Sequence, residues 1–104
     1  MPARATVDVS RRPPAKVESA AWFVVSEALA NTAKHGSAQR ATVWVTLRDG
    51  SLHVEVVDDG RGGADASGAG LRGLAQRVAA LDGSLEVNSP PGGPTVVRAV
   101  LPCE

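Results

Sequence analysis

The sequence has few cysteines and few aromatic residues. Cys103 is the only cysteine among 104 residues, so neither a disulfide framework nor a cysteine-based zinc site can form within the chain. A reducing, cytoplasmic setting is therefore expected. The only aromatic residues are Trp22, Phe23 and Trp44, too few for a platform on which single-stranded nucleic acid would stack.

The sequence also lacks an excess of charge and a long apolar run. Eleven Lys and Arg balance 11 Asp and Glu, which leaves no basic footprint for nucleic acid or an anionic membrane surface. No apolar run is long enough to span a bilayer, and the start has no apolar signal-peptide segment. We predict one domain over residues 1–104 that contacts neither nucleic acid nor membrane directly.

Hydrophobic periodicity predicts strands and helices in a definite order. The strand candidates are 5–9, 42–47, 52–56, 85–88 and 95–101, and the helix candidates are 17–34 and 71–81. The first helix has an apolar stripe of Trp22, Val25, Leu29 and Ala33, and Asp49-Gly50 is a strong hairpin signal. This order predicts the α+β class: a two-layer α/β sandwich with a mixed, mostly antiparallel sheet and helices on one face.

Four polar residues of the first predicted helix fall on one stripe of its surface. At about 100° per residue, this stripe lies away from the apolar one and holds Glu27, Asn31, Lys34 and His35. An amide oxygen is a hard ligand of the kind that Mg²⁺ prefers, and a lysine offers a point charge to phosphate. The stripe predicts a magnesium and phosphate site, although a solvated helix face has the same pattern and spacing alone leaves both open.

Two acidic residues follow the strand candidate 52–56. The alternation of that strand continues to Asp58, which therefore points toward the core, where a carboxylate needs a partner. The amino group of adenine is a donor, whereas guanine has an acceptor in its place, so a buried acid selects ATP. The alternative is an Asx-turn before Gly60, which suits Asp59 better than Asp58. Gly60 and Gly62 would let the backbone approach a ligand.

Glycines recur before the second predicted helix. Residues 68–73 (GAGLRG) match G-x-G-x-x-G, but the dinucleotide-binding interpretation is rejected because that motif leaves a strand inside a βαβ unit, and the neighbouring strands here form hairpins. Free N–H groups at a helix N-terminus still suit phosphate, and a flexible loop before a helix fits equally well. Thr95 opens the last strand with its hydroxyl on the core-facing side, where a ligand, a water or the backbone is a possible partner.

These segments, taken in order, resemble a known family. Residues 27–35 (EALANTAKH) resemble the N box of sensor histidine kinases, 58–62 (DDGRG) the first glycine box, 68–74 (GAGLRGL) the second, and 92–95 (GGPT) the terminal Gly-Thr segment. The family is the gyrase, Hsp90, histidine kinase and MutL ATPase superfamily, which has the Bergerat-type ATP-binding fold. The branch that the chain resembles is the short-lid, nitrate-sensor type. The resemblance runs from about Val7 to Pro102.

The resemblance implies a role for each matching polar residue. Asp58 would bind the adenine amino group, with Thr95 assisting. Asn31 would coordinate Mg²⁺, and Lys34 and His35 would face the phosphates of ATP.

The remaining matches are the acidic residue of the N box and the glycine-rich positions. Glu27 matches the position of the catalytic base in the members that hydrolyse ATP. Gly60 and Gly62 would give room at the nucleotide, and the lid hinge and phosphate side would be formed by Gly68, Gly70, Leu71 and Gly73. The chain departs from the family in the short stretch between Gly62 and Gly68, which implies a small lid, and in Pro94, which stands where a glycine is usual.

A histidine kinase also needs a phosphoacceptor histidine on a dimerising helical hairpin. The chain has two histidines: His35 lies within the ATP-binding segment, and His53 faces away from the core in the middle of a strand. Neither resembles a phosphoacceptor. The expected partner is therefore a histidine-containing dimerisation domain, in the same protein or another chain, with a response regulator acting downstream.

The function implied is transfer of the γ-phosphate from Mg·ATP to that histidine in two-component signalling. One alternative keeps the site and changes the acceptor, as in anti-sigma-factor serine kinases, which use this fold as small free-standing proteins. Another alternative is a nucleotide-binding module that signals by docking and catalyses nothing.

Overall fold

The computed structural model describes residues 3–34, 39–60 and 69–103, which form five strands and two helices. In chain order they are β1 (Ala3–Asp8), α1 (Ala15–Lys34), β2 (Ala41–Arg48), β3 (Ser51–Asp58), α2 (Ala69–Ala79), β4 (Ser84–Asn88) and β5 (Thr95–Pro102). Each predicted element is present, and its ends differ from the predicted ones by at most two residues. Neither helix is long and apolar enough to cross a membrane.

The five strands form one sheet in the order β1-β2-β3-β5-β4. β1 pairs in parallel with β2, and the other neighbours are antiparallel. Burial alternates strictly along β3 and β5, so one face of these strands is covered and the other is not. Both helices pack on the covered face. The predicted α+β class, with a mixed, mostly antiparallel sheet and helices on one face, is confirmed.

Chain direction brings the ends of several elements together at one end of the sheet. Ala41 pairs with Asp58, and Asp58 pairs with Thr95, so β2 begins, β3 ends and β5 begins side by side. Lys34, the last residue of α1, is separated from Ala41 by only six residues, and α2 begins at this same end because its other end leads into the start of β4. We call this end of the sheet the convergent end.

Two turns show why the chain reverses where it does. Asp49 and Gly50 both take positive φ, 54° and 76°, as a two-residue hairpin turn of the primed type requires. After α2, the N–H of Gly83 donates to the carbonyl of Val78 at 2.9 Å, which closes a Schellman motif. The left-handed residue of that motif is Asp82, with φ 60°, rather than Gly83.

The core lies between the covered sheet face and a stripe of mostly small residues on α1. The buried residues of α1 are Val17, Ala20, Ala21, Val24, Val25 and Ala28. The predicted apolar stripe is therefore displaced, because Trp22 is 72% exposed and Leu29 is only half-buried. Alanines let the helix approach the sheet closely, and the bulky Trp22 lines a groove together with residues of the exposed strand β1.

Gly83 is required for packing, not for its backbone angle. A Cβ at this position would lie 2.5 Å from the carbonyl oxygen of Val100 and 2.9 Å from Cγ1 of Val78. We expect Gly83→Ala to lower the free energy of unfolding by about 1–3 kcal/mol, because the contact is with backbone. Urea denaturation measures it.

Gly73 provides the matched control, because a Cβ there meets no atom within 4 Å and the residue lies inside α2. Gly73→Ala should raise the free energy of unfolding by about 0.5–1 kcal/mol through helix propensity. Equal effects of the two substitutions would contradict this packing.

Candidate functional site

Two polar side chains are buried side by side at the convergent end. Asp58 is 7% exposed and Thr95 is 8% exposed, and they are directly paired across the β3–β5 ladder on the helix-covered face. The predictions that Asp58 and Thr95 continue the core-facing sides of their strands are confirmed. Among the described residues, they are the buried polar or charged ones. A carboxylate and a hydroxyl thus replace the apolar pairs that occupy the rest of this face.

The carboxylate of Asp58 is tied to the turn that follows it. The backbone N–H of Gly60, itself buried, donates to Oδ1 of Asp58 at 2.8 Å. This is the Asx-type bond that the sequence assigned preferentially to Asp59, so that preference is wrong. The turn bond holds this oxygen of Asp58 in a fixed orientation.

Asp59 instead joins β3 to the segment that enters β2. Its Oδ1 accepts the backbone N–H groups of Gln39 at 2.7 Å and Arg40 at 2.9 Å, and its own N–H donates to the carbonyl of Arg40 at 3.2 Å. Hydrogen bonds to a charged carboxylate favour the charged form. The bond from Arg40, followed by that from Gln39, therefore lowers the pKa of the Asp59 carboxyl below its usual value.

Ser89 is a member of the site that the sequence analysis missed. Asn88 pairs with Val96, so the next residue, Ser89, lies opposite Thr95, and its Oγ is 2.6 Å from Thr95 Oγ1. Ala41, Asp58 and Thr95 thus form a row across three neighbouring strands, and Ser89, directly after β4, extends it; we call these four residues the terminal row. The available signal was the pairing of β4 with β5, which puts the residue after one strand opposite the start of the other.

The polar stripe of α1 reaches the convergent end as the helix finishes. Glu27 and Asn31 are both half-buried. Asn31 follows the buried residues Val24 and Ala28 at spacings of seven and three, so it continues the core-facing stripe at its last turn. Asn31 is therefore a polar residue at the end of the core-facing side of its helix, as Asp58 is at the end of the core-facing side of its strand.

Oxygen atoms of the N-box stripe suit a magnesium ion held jointly with a ligand. No cluster of three or more His, Cys, Asp or Glu side chains able to hold a metal occurs within the described ranges. Mg²⁺ is commonly bound through one or two protein oxygens together with phosphates and waters. The Asn31 amide and the Glu27 carboxylate fit that mode rather than an all-protein cage.

The glycine-rich segment meets the convergent end at the N-terminus of α2. Gly70 and Gly73 lie within α2, and Leu71 is a core residue at 4% exposure. The N-terminal N–H groups of a helix are suited to phosphate. His35, Gly62 and Gly68 lie outside the described residues, and so does the side chain of Lys34, the residue that ends α1.

Two sequence features at the edges of the site are placed as follows. Pro94 follows a cis peptide bond in the turn between β4 and β5, where Gly92 and Gly93 have φ of 90° and 77°. His53 lies on the uncovered face of β3, half-buried, with Nδ1 3.4 Å from the guanidinium of Arg48. The prediction that His53 faces away from the core is confirmed.

A groove elsewhere on the molecule has the wrong chemistry for a nucleotide. It lies between β1 and α1, holds about 890 Å³, and is lined mainly by apolar side chains that include Trp22, Val25 and Leu29. Of its charged residues, Arg12 and Glu18 are paired with each other at 2.9 Å. The polar groups that converge lie at the terminal row instead.

Comparison with known proteins gives one family. Residues 17–104 match the family model described as histidine kinase-, DNA gyrase B-, and HSP90-like ATPase. The chain is 31% identical over 90 residues to the sensor histidine kinase LiaS of Bacillus subtilis (strain 168), and the match covers 83% of this chain and 25% of LiaS. It is 37% identical over 82 residues to the signal transduction histidine-protein kinase/phosphatase UhpB of Salmonella typhimurium, with 76% of this chain and 16% of UhpB covered. The chain thus spans a quarter or less of these curated relatives.

Solved structures show the same fold. The histidine kinase domain of the blue-light activated histidine kinase EL346 from Erythrobacter litoralis superposes with a TM-score of 0.77 at 24% identity, covering 97% of this chain and 55% of that one. The histidine kinase AdeS of Acinetobacter baumannii superposes with a TM-score of 0.71 at 14% identity, covering 98% and 55%.

The hydrogen bonds of Asp59 predict a pH-dependent contribution to stability. Because its folded-state pKa is lowered, the contribution is present above the unfolded value of about 3.9 and is lost as pH falls through the folded value. Asp59→Asn keeps an acceptor oxygen and removes the charge. Its melting temperature should lie below that of the parent protein at pH 7, and the gap should narrow below about pH 4.

Asp8→Asn, which removes an exposed carboxylate from β1, is the control for the loss of one surface charge. Scanning calorimetry across this pH range measures both variants. If the difference in melting temperature for Asp59→Asn is constant with pH, or no larger than that of the control, the charged hydrogen bonds from Asp59 to Gln39 and Arg40 do not contribute as described.

Proposed function

The chain belongs to the histidine kinase-, DNA gyrase B-, and HSP90-like ATPase family, and from this premise we propose that it binds Mg·ATP and donates the γ-phosphate to a histidine on a separate domain. The observation that carries the proposal is the buried pair of Asp58 and Thr95 at the convergent end. Both the nucleotide and the acceptor are part of the proposal.

Asp58 is the proposed reader of the adenine ring. Its carboxylate accepts the Gly60 N–H at the end of the buried, apolar side of β3, and because a carboxylate only accepts hydrogen bonds, a ligand that reaches it must offer a donor. The amino group of adenine is such a donor. Guanine has a carbonyl oxygen in its place, so two acceptors, this oxygen and the Asp58 carboxylate, would face each other. Unpaired polar groups in a buried site carry a large penalty, which supports selection of ATP over GTP.

The phosphates are proposed to lie between the ends of the two helices. The N-terminus of α2 offers N–H groups and the positive end of its dipole, and Asn31 and Lys34 come from the last turns of α1. Asn31 would hold Mg²⁺, which supplies charge neutralisation at the phosphates. Glu27, one turn earlier, would stand at the position that the resemblance gives to the catalytic base of the members that hydrolyse ATP. His35, Gly62 and Gly68 complete the proposed site from the family resemblance.

Phosphoryl transfer asks a protein mainly for positioning and for neutralisation of charge. In the proposed reaction, a nitrogen of the acceptor imidazole forms a bond to the γ-phosphorus while the bond from that phosphorus to the bridging oxygen of ADP breaks. The histidine kinases LiaS and UhpB support this choice of acceptor. The proposed partners are a histidine-containing dimerisation domain and, through it, a response regulator; the proposed compartment is the cytoplasm, where the single cysteine stays reduced.

Removing the Asp58 carboxylate tests the adenine assignment. Asp58→Ala should weaken ATP binding at least tenfold and toward a hundredfold, because a hydrogen bond to a charged, buried group is lost. Asp58→Asn keeps an acceptor for the Gly60 N–H, so it distinguishes an effect on the turn from an effect on ligand binding. Calorimetric titration measures the affinity, and circular dichroism checks the fold. Unchanged affinity in both variants would refute the adenine role.

Asn31 is tested through the metal. Asn31→Ala should make ATP affinity nearly independent of Mg²⁺ concentration, whereas the parent protein binds more tightly as Mg²⁺ rises. Ser26→Ala, on the exposed side of the same helix, is the matched control. If magnesium dependence survives in Asn31→Ala, the ion is held by other residues.

The acceptor is tested by the chemistry of the label. The protein is incubated with γ-labelled ATP and a helical domain that carries the candidate histidine. We expect label that is lost in acid and retained in base, as phosphohistidine is. Label with the opposite stability would indicate a serine kinase, and ATP binding without any transfer would indicate a module that only binds nucleotide.

A further inference from the structure

The hydroxyl of Thr95 makes a hydrogen bond to Ser89 that has no role in the proposed adenine site as described so far. Ser89 Oγ lies 2.6 Å from Thr95 Oγ1, so the two hydroxyls share one proton-donating bond. Each hydroxyl has one proton to donate and can also accept. The direction of this bond therefore decides whether Thr95 meets a ligand as a donor or only as an acceptor.

Asp58, the neighbour of Thr95 in the terminal row, determines which direction of the Ser89–Thr95 hydrogen bond suits adenine. Asp58 and Thr95 are paired directly in the antiparallel ladder, where facing Cβ atoms lie about 5 Å apart. Asp58 carries a carboxylate, which only accepts. Two acceptors side by side would match a ligand edge made of two donors, whereas an acceptor beside a donor matches an edge with one of each.

Adenine has the second kind of edge. Its amino group N6 donates, and the adjacent ring nitrogen N1 accepts. With Asp58 accepting from N6, recognition of N1 requires a donor in the next position of the terminal row, which is Thr95. Thr95 can fill that place only if its proton is not used on Ser89.

We propose that Ser89 donates to Thr95 and thereby positions the Thr95 proton for the ring nitrogen N1, so that Ser89 is a positioning residue for adenine specificity. This inference rests on the proposed ATP-binding function. Ser89 acts through Thr95 and makes no contact of its own with the base. By donating to Thr95, Ser89 makes the Thr95 hydroxyl a donor toward position N1 of the base, which is an acceptor in adenine and a donor in guanine.

The test compares ATP with an analogue in which N1 is replaced by CH. Ser89→Ala should weaken binding of Mg·ATP about tenfold, and it should leave the affinity for the analogue unchanged relative to the parent protein. Ser89→Thr, which restores a hydroxyl, should recover most of the lost affinity. Ser84→Ala, at the other, exposed end of β4, is the matched control and should bind both ligands like the parent protein.

A double-mutant cycle supplies a second readout. If Ser89 acts through Thr95, Ser89→Ala should cost little further ATP affinity when it is made in a Thr95→Val protein. Ser89→Cys, a near-isosteric and weaker donor, replaces Ser89→Ala if the alanine variant does not fold; its loss should again be confined to ATP.

Three outcomes would overturn the inference. The first is that Ser89→Ala binds ATP like the parent protein, and the second is that it loses equal affinity for ATP and for the N1-lacking analogue. The third is that its effect is fully additive with that of Thr95→Val. Each would mean that the bond between Ser89 and Thr95 only closes the turn between β4 and β5. The parent protein binds ATP in all three, which leaves the proposed function intact. A parent protein that binds no ATP refutes the proposed function and this inference together.

Discussion

A carboxylate at the end of an apolar sheet face is costly unless it is hydrogen-bonded, and the convergent end is arranged around that cost. Asp58 is 7% exposed, and the residues before it on the same side of β3 are the core of the molecule. The Gly60 N–H meets one of its oxygens, and Thr95 stands beside it on β5. Among the described residues no buried side-chain nitrogen or oxygen is left without a partner. The site is therefore a preformed polar end to an apolar layer.

The same construction recurs on the helix layer, which explains why the two halves of the site face each other. Asn31 continues the buried stripe of α1 as Asp58 continues the buried side of β3. Asp59 fixes the end of β3 to the start of β2, because it binds Gln39 and Arg40, the two residues directly before β2. A nucleotide bound there would touch polar groups that the core itself holds in position, so little ordering would remain to be done on binding.

Periodicity predicted what depends on local alternation and failed where packing decides. The side of β3 that faces the core, and with it the burial of Asp58, followed from a period of two. The buried stripe of α1 did not follow, because Ala20, Ala21 and Ala28 pack closely while Trp22, the largest apolar residue, stays exposed. Ser89 was missed for another reason: its place beside Thr95 depends on the register of β4 against β5, which a single strand pattern does not contain.

The glycine and acid choices at turns divide in a similar way. Asp49-Gly50 was predicted correctly because a primed hairpin turn is a local property of two residues. Preferring Asp59 over Asp58 for the Asx-type turn was an error because both acids lie shortly before Gly60, and only the three-dimensional approach of Gln39 and Arg40 to Asp59 distinguishes them. At Asp82-Gly83, the aspartate takes the left-handed angle while the glycine makes room for the Val100 carbonyl.

The most direct measurement of the central claim is the map of amide chemical-shift changes as Mg·ATP is titrated into the isotopically labelled protein. We expect changes concentrated at the convergent end, in Asn31, Asp58, Gly60, Ser89 and Thr95. The opposite end of the sheet, at Asp8, Arg48 and Ser51, should be nearly unchanged. Changes centred on the groove between β1 and α1, or none at saturating nucleotide, would contradict it.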